Sequence, residues 1–259
     1  MTSKTAAVPR SLRDGLVMRW ATADDIESLA QFNFRMHSDN PDGVPDVWLK
    51  AWTRELMNGS HPTTNAGDFT VVVDRNAENR VVSAAVLISQ LWRYDGQPFG
   101  CGCPELIATD PDYRQRGLVR AQMDQIHARS AERGQLVQAI TGIPWFYRQF
   151  GYEMALELSG GRRLELASIA ALPADQQEPY SLRRATVDDI PDLAKLYEAE
   201  CSRNLVSCQR DVDIWRYELD REDSGNVRRL FLILGQDGSV AGYVNLSGRG
   251  RLDIVRELV

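Results

Sequence analysis

The chain has 259 residues, 43% hydrophobic and 25% charged, a globular composition with enough apolar side chains for a core, which excludes wholesale disorder. Its 30 Lys and Arg against 36 Asp and Glu leave a net charge of −6, which argues against a nucleic-acid binder working through a diffuse basic surface. Apolar runs such as Ala84 to Ile88 fall far short of the roughly 18 residues that span a bilayer.

Residues 1–14 carry charges but no continuous apolar run, so they read as a flexible leader rather than a signal peptide, and a cytoplasmic location is expected. Cys101, Cys103, Cys201 and Cys208 are too few for a disulfide framework and are expected as free thiols. No second Cys or His pair stands at ligand spacing from Cys101 and Cys103, and His37, His61 and His127 show none either, so no metal is expected.

The first strong signal is an internal repeat. Residues 19–30 read RWATADDIESLA and residues 183–194 read RRATVDDIPDLA, identical at eight of twelve positions. Each block is a helix start, with Thr or Asp able to cap free amides. Each is followed by a Trp-bearing amphipathic stretch (Trp48 to Leu56; Trp215 to Leu219) and two apolar runs separated by a turn. In the first copy the runs are FTVVVD and VVSAAVLIS, around Arg75 to Arg80; in the second, LFLIL and VAGYVNLS, around Gly235 to Gly238. Both copies read as β-α-α-β-β. Prolines and polar residues over 171–181 mark a linker. A complete first domain is therefore expected over 15–170 and a partial second copy over 182–259.

The first copy continues beyond the repeat. A loop (Tyr94 to Gly102), a strand (Glu105 to Thr109), a turn (Asp110 to Arg116) and a helix from Gly117 to Glu132 are predicted, with Val119, Met123 and Ile126 as its apolar stripe. Gly134 stops the helix. A strand (Leu136 to Thr141), an aromatic segment (Ile143 to Phe150) and a strand or hairpin (Tyr152 to Leu166) follow. At the strand-turn-helix junction, backbone amides without intrahelical acceptors meet the positive end of the helix dipole, a natural seat for a pyrophosphate. Gly117 lets an anion approach the backbone, and Arg114, Arg116 and Arg120 supply charge-assisted donors. The plainer alternative is a junction with solvated arginines.

The segment DPDYRQRGLVRAQM resembles motif A of the GNAT superfamily of acyl-CoA-dependent N-acyltransferases. That motif runs Arg or Gln, two variable residues, Gly, any residue, then Gly or Ala. Here these are Arg114, Gln115 and Arg116, Gly117, Leu118 and Val119, and Val119 departs from the small residue usual at its place. RGLVR and the later FYRQFGY, Phe146 to Tyr152, are similar to the enhanced intracellular survival branch of the superfamily.

The resemblance implies an α/β fold with a GNAT-like mixed central β-sheet flanked by helices, followed by a partial second copy of the unit. It implies acetyl-CoA as cosubstrate, with backbone groups of Ile107, Ala108 and Thr109 along the pantetheine arm. Amides and side chains from Arg114 through Gln115, Arg116, Gly117, Leu118 and Val119 to Arg120 would bind the pyrophosphate. Tyr147 matches the family's acid position, although an aromatic segment of this kind also suits packing. Glu105, opening the motif A strand, is the candidate base, with His37 and Asp95 still open. The implied activity is acetyl transfer from acetyl-CoA to a primary amine of a small molecule or peptide; the alternative is a catalytically degenerate acyl-CoA-binding sensor or scaffold. No nucleic-acid or membrane partner is expected. Self-association or association with a partner is, through residues 230–259, where a strand with no following helix leaves an apolar face or edge uncovered.

Overall fold

In the computed structural model, residues 9–37, 47–156, 172–173, 175–219, 229–248 and 253–259 are described. They fall into two compact units, one reaching to Tyr152 and including Val206–Gln209, the other built from the remainder. The first unit opens with β1 (Arg10–Ser11), which pairs antiparallel with β2 (Leu16–Trp20). Residues 10 and 11 are thus part of a sheet rather than of a loose leader.

The repeated block starts a helix as its residues dictate. Asp25 accepts from the Thr22 backbone N–H at 2.8 Å and takes both guanidinium nitrogens of Arg19 at 2.7 Å, capping the entry to α1 (Ile26–Met36). After α2 (Trp48–Met57) come β3 (Phe69–Asp74) and β4 (Arg80–Tyr94). Phe69, Val71, Val73, Val86 and Ile88 face the helices α1 and α2, while Val72, Val82, Ala85 and Leu87 face the opposite side. Both strands carry apolar residues on both faces because both faces of the sheet are covered.

The predicted loop over Tyr94 to Gly102 is instead the tip and far limb of a long hairpin. Asp95 (φ 47°) and Gly96 (φ 74°) make a two-residue turn, Tyr94 pairs with Gln97, and β5 runs over Gln97–Thr109. Two successive residues at positive φ are the geometry that matches strand twist, and Asp-Gly is its preferred pair.

Gly117 ends the turn after β5 and stands at the entry to α3 (Leu118–Glu132), where it has no side chain to cap the first amides. Met123 and Ile126 are fully buried as predicted, but Leu118 rather than Val119 completes the packed face; each such side chain contributes about 1.5–3 kcal/mol. Gln122, also fully buried, accepts from Ser83 Oγ at 2.6 Å and donates to Thr70 O at 3.0 Å, while Ser83 Oγ can accept in turn from Thr109 Oγ1 at 2.8 Å. This chain of bonds locks the start of α3 to the end of β5.

Beyond Gly134 (φ 67°) only Val137–Gln138 form β6, parallel to β5, where a strand to Thr141 was predicted. The chain then diverges from β5. Residues 152–156 carry no strand, and the rest of the predicted segment to Leu166 lies outside the described residues, as does the expected domain end near 170. Val206–Cys208, expected in the second copy, pairs as β8 with Trp92–Tyr94 of β4. The first sheet therefore runs β1-β2-β3-β4-β5-β6, with β8 beside β4. It is a mixed sheet flanked by helices, the α/β architecture expected.

In the second unit β7 (Tyr180–Arg184), α4 (Ile190–Cys201), α5 (Val212–Leu219), β9 (Leu230–Gly235), β10 (Val240–Gly248) and β11 (Asp253–Leu258) follow in order. The sheet order is β11-β10-β9-β7. Arg183 grips Asp189 through both guanidinium nitrogens at 2.7 and 2.9 Å, and the Thr186 N–H donates to Asp189 at 2.8 Å. This is the arrangement of Arg19, Asp25 and Thr22 over again. Trp215, Leu193, Leu232 and Tyr243 form its core.

Candidate active site

Where β5 passes Ala85 of β4, Ala84 pairs with Ala108 and Val86 with Glu105, so β5 carries one residue more than its partner. The excess is absorbed at Leu106, whose φ of 50° is a left-handed conformation rare for a branched side chain. The bulge turns Leu106 into the α1–α2 core while Ile107 packs with Ala85 and Ile126 on the other face. Because β6 pairs with β5 only at Cys101 and Gly102, the segment from Glu105 to Thr109 has β4 along one edge and, among the described residues, no strand along the other. The edge of this segment that no strand covers thus faces a wedge between β5 and the chain that follows β6.

That wedge is the floor of a cleft of about 1120 Å³. One end is the start of α3. Gln115 (φ 60°) and Gly117 (φ 73°) turn the backbone so that the helix begins without a side-chain cap, leaving its first amides available to an anion. Arg114 donates to Thr109 O at 3.4 Å and Arg120 to Gln149 Oε1 at 2.7 Å; both line the cleft. Of the twelve residues singled out from sequence, eleven line it: Glu105, Ile107, Ala108, Thr109, Arg114, Gln115, Gly117, Leu118, Val119, Arg120 and Tyr147. Arg116 does not. It bends back to donate to Asp112 O at 3.1 Å and stacks over the Tyr113 ring at 4.9 Å, so it stiffens the turn instead. Of the other candidate bases, His37 lines the cleft and Asp95 sits in the turn at the hairpin tip, away from it.

Glu105 and Tyr147 share the cleft's interior. Burial pushes the Glu105 carboxyl above the usual carboxylate range, against the opposing effect of hydrogen bonds from Thr141 Oγ1, at 3.2 Å, and the Leu106 amide. Burial also raises the Tyr147 phenol, and the Glu105 charge raises it further. Tyr147 stands in a 3-10 turn, Phe146–Phe150, entered through Trp145 at φ 70°. Its ring lies against Gly142: a Cβ there would fall inside contact distance of ring carbons Cδ2 and Cε2. Gly142→Ala should therefore displace the ring. Misplacement of a reacting group by about 1 Å costs on the order of 10²-fold in rate, so with Tyr147 in the acid role that the motif implies, a kcat loss of that size at an unchanged melting temperature is the expected outcome.

The far wall was missed from sequence. Met36 from α1 and Trp48, Leu49 and Trp52 from α2 line the cleft, with the Trp48 and Trp52 rings 5.9 Å apart. Their helical spacing signals a packed face, and no local feature of the sequence says that part of that face borders a cavity.

The family profile for the acetyltransferase (GNAT) domain matches residues 19–155, more than half of the chain. The chain belongs to the GNAT acetyltransferase domain family. Solved structures of similar fold include a GCN5-related N-acetyltransferase from Kribbella flavida, with TM-score 0.63 and 20% identity over 94% of this chain and 58% of that one. Saccharomyces cerevisiae N-myristoyltransferase with bound myristoyl-CoA gives TM-score 0.66 and 12% identity, over 95% of this chain and 65% of the other. A conserved protein of Enterococcus faecalis V583, named a probable N-acyltransferase, gives 0.65 and 15%, over 94% and 58%. This chain spans less than two thirds of each, and at these identities the likeness is one of fold. No curated protein sequence matches. Among the described residues no helix of this GNAT chain is long and apolar enough to cross a membrane.

Proposed function

We propose that the chain is an N-acyltransferase that moves an acetyl group from acetyl-CoA to a primary amine of a small molecule or peptide by direct attack. One observation carries this: a single cleft brings together the unpaired edge of Glu105–Thr109, the uncapped start of α3 with Arg114 and Arg120, and the pair Glu105 and Tyr147. The donor set suits a CoA thioester. A pantetheine arm carries amides that can pair like an added strand along Ile107, Ala108 and Thr109, and the amides of Gln115 to Val119 with the two arginines suit its pyrophosphate. The acyl carbon would then lie toward Glu105. The amine nitrogen bonds to that carbon, its proton passing to Glu105 directly or through one water. The C–S bond breaks, and the Tyr147 hydroxyl gives its proton to the departing sulfur.

The second unit is read as a partial, degenerate copy of the first, supported by the duplicated Arg-Asp-Thr cap, and the chain as close to the enhanced intracellular survival branch, supported by RGLVR and FYRQFGY. Self-association through residues 230–259 belongs to the same reading: β11 has a neighbour on one side only among the described residues, and an open edge can pair with a second copy. Sedimentation at high concentration showing monomer alone removes that part.

A sensor that binds acyl-CoA without transferring its group has one observation in its favour: Val119 presents a branched side chain to the cleft where the motif is usually small. An assay of released CoA thiol across a broad amine panel, with acetyl-CoA and longer acyl-CoA donors, separates the readings. Turnover on at least one amine with acetyl-CoA is expected, and saturating donor without turnover on any amine overturns the proposal.

A further inference from the structure

The turn that carries Tyr147 lies at the surface. Trp145, Arg148 and Gln149 are exposed and Phe150 is half-buried. One tie of this segment to α3 is through Tyr152, whose hydroxyl stands 3.2 Å from His127 Nε2. Another is Arg120 in the first helical turn, which donates to Gln149 Oε1 at 2.7 Å and lies over the Phe150 ring at 5.1 Å, within cation–π range. Arg120 also lines the cleft beside the uncapped amides of α3. A guanidinium has five N–H donors in one rigid plane, and Gln149 occupies one of them.

We propose that Arg120 is a positioning residue that couples cosubstrate binding to the setting of Tyr147, an inference that rests on the acyl-CoA reading above. A phosphate group at the start of α3 comes within reach of donors that Gln149 leaves spare. Binding one edge of the plane to phosphate fixes the other edge, and with it Gln149 and Phe150, which flank the turn of Tyr147. Cosubstrate thereby orders the acid before the amine arrives, the two sites sharing one rigid element. A cation serving the phosphate alone would leave the turn indifferent to its occupant.

Backbone hydrogen exchange of the full chain, with and without saturating CoA, tests this. The amides of Phe146, Gly151 and Tyr152 close the turn by bonding to Ile143, Arg148 and Tyr147 carbonyls at 3.3, 3.0 and 3.3 Å. CoA is expected to slow their exchange about tenfold in the wild type. Gln149→Leu keeps the Arg120 charge and should bind CoA with near wild-type affinity, yet lose the slowing and several-fold in kcat at unchanged KM for acyl-CoA. Gln149→Glu, which still accepts from Arg120, should restore both. Binding of CoA without slowing in the wild type, or full slowing and kcat in Gln149→Leu, overturns the coupling and leaves the acyl-CoA reading intact. A wild-type chain that binds no CoA overturns both.

Discussion

Tyr147→Phe is expected to lower kcat by about 10²- to 10⁴-fold, the range supplied by a positioned general acid, while CoA affinity, measured by calorimetry, stays as it was. The ring remains in the variant, so its packing on Gly142 and the ring contacts with Phe146 and Phe150, at 5.0 and 6.3 Å, survive. Only the hydroxyl is lost. Burial and the Glu105 charge raise this phenol above its ordinary value, so it keeps its proton across the working pH range. A thiolate forming in the same desolvated cleft is a stronger base than in water and can take that proton. If Tyr147 serves only to fill space, Phe is nearly neutral in kcat, and the acid assignment fails.

Glu105→Gln is expected to lower kcat/KM by about 10²-fold or more at neutral pH, for the same reason of lost proton transfer, and to change the shape of the pH profile. In the proposed role Glu105 accepts the proton as a carboxylate. With its pKa raised by burial, wild-type activity should fall as pH drops through a value above the ordinary 4.5 of a glutamate, whereas the Gln variant should show no such limb. An acceptor whose amine is already neutral over the scanned range keeps its own titration out of the profile. Stability supplies an independent sign. A carboxyl with a raised folded pKa binds its proton more tightly folded than unfolded, so its contribution is favourable below the unfolded pKa and is lost as pH rises through the raised one. At neutral pH the ionised Glu105 costs stability, and Gln should melt no lower than wild type. A lower melting point together with an unchanged limb would assign the base elsewhere, with His37 in the same cleft the next candidate.

The half of the site nearest the motif was legible because its determinants are contiguous. An apolar strand, a proline turn and a glycine at Gly117 specify an uncapped helix start whatever surrounds them. The duplicated caps at Asp25 and Asp189 were legible for the same reason, since in each the Asp caps through a Thr only three residues earlier. Arg116 shows the limit of that reasoning: three arginines in seven residues look equivalent, but a backbone carbonyl four residues earlier and the Tyr113 ring capture this one. The Asp95-Gly96 turn carries a local signal, since Asp-Gly is a preferred pair for a two-residue hairpin turn. Leu106 carried none. A leucine in left-handed conformation is held there by register against β4, a consequence of pairing that no local propensity anticipates. Gly142 and the wall of Met36, Trp48 and Trp52 depend likewise on which distant element comes to lie against them.

The central claim is that one cleft holds a CoA thioester along the open edge of β5 with Tyr147 against its sulfur. The most direct measurement is a crystal structure of the chain with acetyl-CoA or CoA. The account predicts pantetheine amides paired with backbone groups of Ile107 to Thr109, pyrophosphate on the amides from Gln115 to Val119, and the sulfur within hydrogen-bonding distance of the Tyr147 hydroxyl. Cosubstrate bound elsewhere, or in the cleft with the Tyr147 hydroxyl turned from the sulfur, would contradict it.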